Sequence, residues 1–393
     1  MVKNYKKIFL AFYLLTFSFT SCLTAQEAEN LAPEADEEET SIADEEIMEE
    51  IKEVEEIVPQ EVIEGDIYPL AEHKDLELPG YEKELTQKWI NYYLTPQGQK
   101  FLIKVLYDSV PYRPYIREQL EEHNMPLILQ YLPVVESNYK ATAVSKAGAT
   151  GMWQFMENSM APYLKKNSWY DERRDPWKST IAAINKLSEN YRIFEDWTIA
   201  IAAYNCGNGA MSRAIKKSEQ KDFWYMAEHK ILREQTIQYI PKLLAIAEIV
   251  ENADYYGLIE VGAADKVIED SVSQDYDYVT MSGMISLKEI SRVTGIEEDT
   301  IKQLNPALFR NCTPAGESYN LRLPSGTGEE AAVAIQDCDS ITDAIVYTVT
   351  KGDSLWGISR RYGVTVTDLC LVNNIREGDI LSIGQKVIVP IFN

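Results

Sequence analysis

The sequence predicts a mainly α-helical domain followed by two small α+β modules, each built in the order strand, helix, helix, strand. Three observations carry this: apolar residues recur at helical spacing from about Tyr81 to Tyr256, two stretches beyond residue 262 can be laid over each other, and acids crowd the chain before residue 67. A length of 393 residues suits two or three folded units. The expected division is a leader at 1–25, an acidic tether at 26–75, the helical domain at 76–260, a weaker module at 272–326 and a cleaner one at 345–391. Hydrophobic and charged contents of 45% and 25% are ordinary, which excludes a collagen-like, wholly disordered or multi-spanning membrane protein. Lys and Arg total 38 against 62 acids, and a net charge of -24 argues against an electrostatic grip on nucleic acid or anionic lipid.

The leader has three parts: a lysine-bearing start with Lys3, Lys6 and Lys7, an apolar run Ile8–Thr20, and small residues before Cys22. That run is too short to span a bilayer, which needs roughly 20 residues, so it reads as an export signal. Two cleavage points stay open. Phe19-Thr20-Ser21-Cys22 resembles a bacterial lipoprotein site with Phe19 in place of a smaller aliphatic, and Thr24-Ala25 before Gln26 suits ordinary signal peptidase. Residues 27–66 hold 18 acids and one Lys and have no aromatic, so they cannot bury enough apolar surface to offset chain entropy. They read as a solvated tether, with a short amphipathic helix around Ile47–Val58 as an option.

Within the helical domain, Leu127, Ile128, Tyr131, Leu132 and Val135 mark one apolar stripe, and Ile181, Ala182, Ile184, Leu187 and Tyr191 another. The first of these predicts a helix beginning near Pro126 and Leu127. In the last module, Tyr347-Thr-Val is followed by Gly352-Asp353-Ser354, with Ser354 as N-cap of a helix through Leu355, Ile358 and Tyr362. A break at Gly363, a second helix over Asp368 to Asn374 and a strand at Val387–Pro390 complete it. The weaker copy keeps the order through Tyr278-Val279, Ser286-Leu287, Gly295, Leu304-Asn305-Pro306 and Tyr319–Pro324, but lacks the Gly-Asp-Ser turn.

His73, His123 and His229 lie far apart, forming no metal-ligand spacing, and no phosphate-binding Gly loop or Gly-x-Ser-x-Gly elbow occurs. No metal or cofactor is expected. A Cys206–His229 dyad is conceivable for peptide cleavage, but a small buried Cys on a helical turn explains Cys206 as well. In an oxidising compartment Cys206, Cys312, Cys338 and Cys370 could pair or stay free, and sequence does not assign them. Glu136 is the informative acid. It follows an apolar helix, and both burial and a helix C-terminus disfavour its ionised form, as a general acid near neutral pH requires. Alone it would read more simply as a solvent-facing helix end.

It does not stand alone. Glu136-Ser137 is followed by Gly148-Ala-Thr-Gly151-Met152-Trp-Gln154-Phe155-Met156, then Arg174-Asp-Pro176, Ala203-Tyr204-Asn205-Cys206-Gly207 and Tyr239. Here, from about Tyr81 to Val250, the chain resembles the lytic transglycosylases of bacterial cell walls, of goose-type lysozyme fold, and within them the membrane-bound D type. Cys206 and Asn208 depart from that pattern, at positions without a chemical role. The resemblance implies that Glu136 is the sole catalytic acid and base, and that Ser137, Met152, Gln154, Phe155, Tyr204, Asn205 and Tyr239 line the sugar cleft. Amide and phenol groups can hydrogen-bond sugar hydroxyls, and aromatic faces can stack on pyranose rings. For Trp153, Phe155 and Trp197 core packing is the alternative, the simpler reading for Trp197 and an equal one for Phe155.

The last module looks like a LysM module and residues 276–325 like a decayed copy. This implies binding of peptidoglycan glycan strands through Gly352, Asp353, Ser354 and the loop with Ile380; a folded spacer is the alternative, above all for the first copy. The implied reaction cleaves the β-1,4 bond between N-acetylmuramic acid and N-acetylglucosamine, leaving 1,6-anhydro ends. A hydrolytic muramidase on the same fold and an inert wall-binding scaffold are the rival readings. The expected location is the periplasm, with acylated Cys22 as the only membrane attachment, to the outer membrane, and with no nucleic-acid partner.

Overall fold

The computed structural model describes residues 71–269, 276–315, 317–336 and 343–391. The leader, Cys22, the acidic stretch 27–66 with its optional helix, and Cys338 lie outside the described residues. The helical part runs α1 (Glu84–Leu94), α2 (Pro96–Ser109), α3 (Arg113–Glu122), a 3₁₀ turn at Leu127–Tyr131, α4 (Leu132–Ser137), a short 3₁₀ turn at Glu172–Arg174, α5 (Pro176–Phe194), α6 (Trp197–Cys206), α7 (Asn208–Ser218), α8 (Phe223–Glu228), α9 (Glu234–Glu251) and α10 (Ile259–Glu269). Side-chain caps set several starts. Thr95 accepts from Gly98 N before α2, Asp175 from Trp177 N and Lys178 N before α5, Asp196 from Ile199 N before α6 and Asp222 from Tyr225 N before α8. Pro96 and Pro176 follow their caps in the first helical turn, where no N–H is required.

The expected helix from Pro126 is divided. Pro133 has no N–H to offer Leu129, so the α-ladder cannot run through, and a 3₁₀ turn precedes the six-residue α4. α9 is the axis of the domain. All its residues from Thr236 to Val250 are buried, as suits a helix in the interior, and α1, α4, α6 and the 3₁₀ turn pack around it. The charges that this burial traps have partners on one side each. Glu248 meets His73 Nε2 at 2.6 Å and the Tyr256 hydroxyl at 2.9 Å, and Lys242 lies over the Trp89 ring.

Beyond the helices, β1 (Tyr276–Ser282) pairs antiparallel with β2 (Ser318–Pro324), and Val279 faces Leu321. Two strands alone are marginal in water, so α11 (Leu287–Thr294) and α12 (Glu298–Leu304), joined by α13 (Gly328–Gln336), cover one face. β3 (Asp343–Thr348), α14 (Leu355–Tyr362), α15 (Val366–Asn373) and β4 (Lys386–Ile391) repeat the order, with Tyr347 opposite Val387. The repeat is kept in the caps: Ser286 accepts from Glu289 N as Ser354 accepts from Gly357 N. Gly295 and Gly363 close the two helices at φ +74° and +71°, where a side chain would be strained.

The first module is fastened to the helical domain. Trp169 and Tyr170 share a core with Val279, Leu321 and Leu323, Asp171 N donates to Ala307 O at 3.0 Å, and Phe309 N donates to Trp169 O at 2.9 Å. Arg322, buried on β2, stacks on Trp177 and reaches the Asp175 carboxylate at 3.3 Å. Asp175 thus caps α5 and neutralises the docked guanidinium together. Val372 and Ile388 of the last module join the same core, and Arg310 donates to Asn373 Oδ1 at 2.8 Å.

Candidate active site

Asn138 and Tyr139 both adopt left-handed backbone, at φ +53° and +58°, and their N–H groups bond back to Val134 O and Pro133 O. This ends α4 abruptly and leaves Glu136 in its last turn. The Glu136 side chain is half-buried beside α9, and Tyr239, from the middle of α9, donates its hydroxyl to Glu136 Oε1. Burial raises the carboxyl from its ordinary 4.5 to about 7, while the bond from Tyr239 acts in the opposite direction. The same burial, with the negative charge of Glu136 next in size, holds the Tyr239 and Tyr204 phenols well above their ordinary value, so both remain O–H donors. Tyr204, on α6, donates to Trp153 O at 2.9 Å and meets the Phe155 ring edge-on at 6.0 Å.

Opposite α4 lies the loop from Ala143 to Phe155. Ser137 Oγ donates to Met152 O at 2.8 Å, joining the end of α4 to it. Gly151 allows the loop's close approach to its neighbour: its φ is +87°, and a Cβ there would fall 1.7 Å from Arg173 O. Gln154, itself at φ +47°, donates Nε2 to Gly151 O at 2.7 Å. The buried Arg173 staples the loop, donating to Phe155 O at 3.0 Å and Gly148 O at 3.2 Å while Asp171 holds its other edge at 2.6 Å.

Glu136, Ser137, Tyr204 and Tyr239 are thus brought together with the loop carbonyls. Met152 is fully buried, so its carbonyl, not its side chain, meets Ser137. Phe155 is buried beside Tyr204, and Asn205 Oδ1 accepts from Thr236 at 2.8 Å, which fixes the amide with its NH₂ as remaining donor. Sequence reading did not single out Arg173, Asp171 as its anchor, or Thr236 as the Asn205 partner. Arg173 and Asp171 flank the Arg174-Asp-Pro stretch, but only the fold aims them at the loop. The other acids near these motifs are engaged elsewhere: Asp171 with Arg173, Asp175 with Arg322, Glu172 with Lys178 and Glu157 with Lys166.

The thiol dyad finds no geometric support. Burial pushes the Cys206 thiol up to about 11, while His229 stacks on Tyr225 and bonds Tyr225 O at 2.9 Å. Cys206, Cys312 and Cys370 are all free. In the last module Gly352 has φ +92°, and Asp353 Oδ2 accepts from the Tyr347 hydroxyl, Thr350 N and Thr350 Oγ1 at 2.6 to 2.8 Å. Those bonds hold its carboxyl well below the usual carboxylate range. The Ser354 hydroxyl is used as the cap of α14, and Ile380 and Trp356 are exposed at 95% and 61%, an apolar surface beside that turn and loop.

A transglycosylase SLT domain model matches residues 114–227, the model of the lytic transglycosylase MltD LysM-like domain matches 275–335, and a LysM domain model matches 347–390. The chain is 31% identical over 325 residues to membrane-bound lytic murein transglycosylase D of Escherichia coli K12, covering 78% of this chain and 68% of that one. The protein of the same name from E. coli O6:H1 matches to the same extent. Among the described residues no helix is long and apolar enough to cross a membrane. With this identity over most of the chain, and with the domain models matching the helical part and both modules, the chain belongs to the membrane-bound lytic murein transglycosylase D family and is a lytic transglycosylase acting on peptidoglycan.

Proposed function

We propose that Glu136 serves in turn as the acid and the base of a water-free cleavage. The observation that carries this is a half-buried carboxyl raised to about 7, with a phenol donor from Tyr239 on one oxygen, while the neighbouring acids are engaged with cations. Protonated Glu136 delivers its proton to the oxygen linking N-acetylmuramic acid to N-acetylglucosamine, and the substrate's acetamide stabilises the carbon that becomes electron-poor. The Glu136 carboxylate, steadied by Tyr239, then takes the proton of the muramic C6 hydroxyl, which closes a 1,6-anhydro ring. One carboxylate therefore suffices. Gln154, Asn205, Ser137 and the Met152 carbonyl supply polar groups to the sugar, and Phe155 and Tyr204 form an apolar wall.

The supporting arrangement around this chemistry is part of the proposal. The helical domain takes up residues 76–260, the LysM-like module 272–326 and the LysM module 345–391. The last module holds glycan strands through the turn at Gly352, Asp353 and Ser354 and the exposed Ile380. The leader exports the chain to the periplasm, and a lipid at Cys22 tethers it to the outer membrane through the acidic stretch.

The test is product analysis on purified sacculi in ¹⁸O water. Fragments ending in unlabelled 1,6-anhydromuramic acid are expected, and Glu136→Gln is expected to release none, a loss of at least about 10²- to 10⁴-fold. Labelled reducing ends from the unaltered enzyme would replace the lyase step with hydrolysis by the same Glu136. Normal turnover by a folded Glu136→Gln protein would remove Glu136 from the mechanism.

A further inference from the structure

A groove of about 860 Å³ opens between the helical domain and the first module, distinct from the site just described, since neither Glu136 nor Tyr239 lines it. One wall is the segment Asn138–Thr142, which continues directly from Glu136 and Ser137; two peptide units put the Cα of Asn138 no more than about 7.6 Å from that of Glu136. The facing wall is the stretch from Lys302 to Asn311 that docks the module. In a chain of net charge -24 this groove is cationic. Lys104, Lys140, Arg174, Lys302 and Arg310 line it, with Asp108 as its single carboxylate.

Two of the cations are satisfied locally, Lys104 by Asp108 and Lys302 by Glu298 at 2.7 Å. Lys140, Arg174 and Arg310 have no carboxylate partner among the described residues. Asp171, whose charge acts on Arg174, is committed to Arg173, and its sequence neighbours Asp175 and Glu172 are committed to Arg322 and Lys178. Both Arg174 and Arg310 carry a buried Nε without a hydrogen-bond partner, and desolvation lowers the pKa of both guanidinium groups. Arg174 also lies over the Phe309 ring at 5.5 Å. Both side chains are half-buried, with Arg310 Nη1 donating to Asn373 Oδ1 at 2.8 Å; a partly desolvated guanidinium without an anion is costly, and its planar donor fork matches a carboxylate in two bonds.

We propose that this groove binds the carboxylate-bearing peptide stem of the murein strand held at Glu136, with Arg174 and Arg310 as the carboxylate receptors. The proposal rests on the reading of Glu136 given above. The glycan backbone is poorly suited to these groups, because its acetamides and hydroxyls are neutral and its lactyl carboxyl is consumed in the amide bond to the stem. A stem keeps free carboxylates, and it leaves the strand at the muramic residue whose bond is cut, next to the Glu136-Ser137-Asn138 turn. The module's fixed dock on Trp169, Tyr170 and Asp175 then has a use: it holds the second wall of the groove at a set distance from the scissile bond.

The test uses the full chain on two substrates, glycan strands with stems and strands stripped of them by an amidase. The unaltered enzyme is expected to cut stem-bearing strands with kcat/KM about tenfold higher or more, and Arg174→Gln and Arg310→Gln each to lose about tenfold on these and nothing on stripped strands. Equal rates on both substrates, unaffected by the substitutions, would overturn the groove assignment while leaving the proposed chemistry intact. Failure to cut either substrate would count against the chemistry, and the groove would then be decided by titrating the chain with soluble stem peptide against its carboxamide form. Saturable binding of the carboxylate form alone supports the proposal; equal binding of both, or displacement by inorganic phosphate at matched concentration, overturns it. Should either Arg variant fail to fold, the same titration on the unaltered chain and on exposed Lys140→Gln decides the assignment by the same outcomes.

Discussion

Replacing Glu136 with Gln is expected to stabilise the protein at alkaline pH while removing its activity. The carboxyl is raised from 4.5 to about 7 chiefly by burial, so ionising it in the folded state costs more than in the unfolded chain. At ~1.4 kcal/mol per pH unit the difference amounts to about 3 kcal/mol. Below pH 4.5 both states are protonated and the unaltered fold keeps its full stability. That stability falls as pH rises through about 7 and is level beyond. Gln, nearly isosteric and neutral, escapes the loss, and its carbonyl can still accept from Tyr239. Urea melts of the two proteins at pH 4 and pH 8 should therefore coincide at the lower pH and differ by up to about 3 kcal/mol in favour of Gln at the higher. A Gln protein less stable at pH 8, or an offset independent of pH, would mean that Glu136 is not desolvated, and the basis of its acid role would go. The companion is Tyr239→Phe. Loss of the donor should raise the Glu136 carboxyl further, moving the alkaline limb of kcat/KM up by about one pH unit.

Other outcomes are expected from the scaffold. Gly151→Ala would force a methyl to 1.7 Å from Arg173 O at a backbone angle that favours glycine, so it should cost several kcal/mol or rearrange the loop, read as a fall in melting temperature and in cleavage together. Arg322→Ala would leave Asp175 buried without its cation, with an expected loss of about 3–5 kcal/mol and faster proteolysis between helical domain and first module. A chain ending near Ser340 lacks the last module and should pellet less with insoluble peptidoglycan while still cutting soluble glycan fragments, since a linked site raises local concentration without changing chemistry. Unchanged pelleting would make that module a spacer.

The family, the helical domain and the two modules were legible in the residues because each rests on local rules. Apolar spacing marks helices, Ser354 and Ser286 mark helix starts, and the ordered blocks around Glu136, Gln154, Tyr204 and Tyr239 identify the family in one dimension. Pro133 was equally visible, yet its division of the helix before Glu136 went unread, and α13 carried no pattern strong enough to be singled out. What sequence could not decide is set by contacts between residues far apart in the chain. Tyr239 reaches Glu136 across 103 residues, and its donated bond, with the burial that α9 imposes, sets the ionisation of that carboxyl. Asp175, read only as part of a motif, caps α5 and also receives Arg322 from 147 residues away. The weaker repeat read as a decayed copy; its core is shared with Trp169 and Tyr170 of the helical domain. Local sequence thus determined which elements form and which residue types could do the chemistry. Tertiary structure decided which side chains are desolvated and which charges are neutralised, because both depend on neighbours that folding alone brings near.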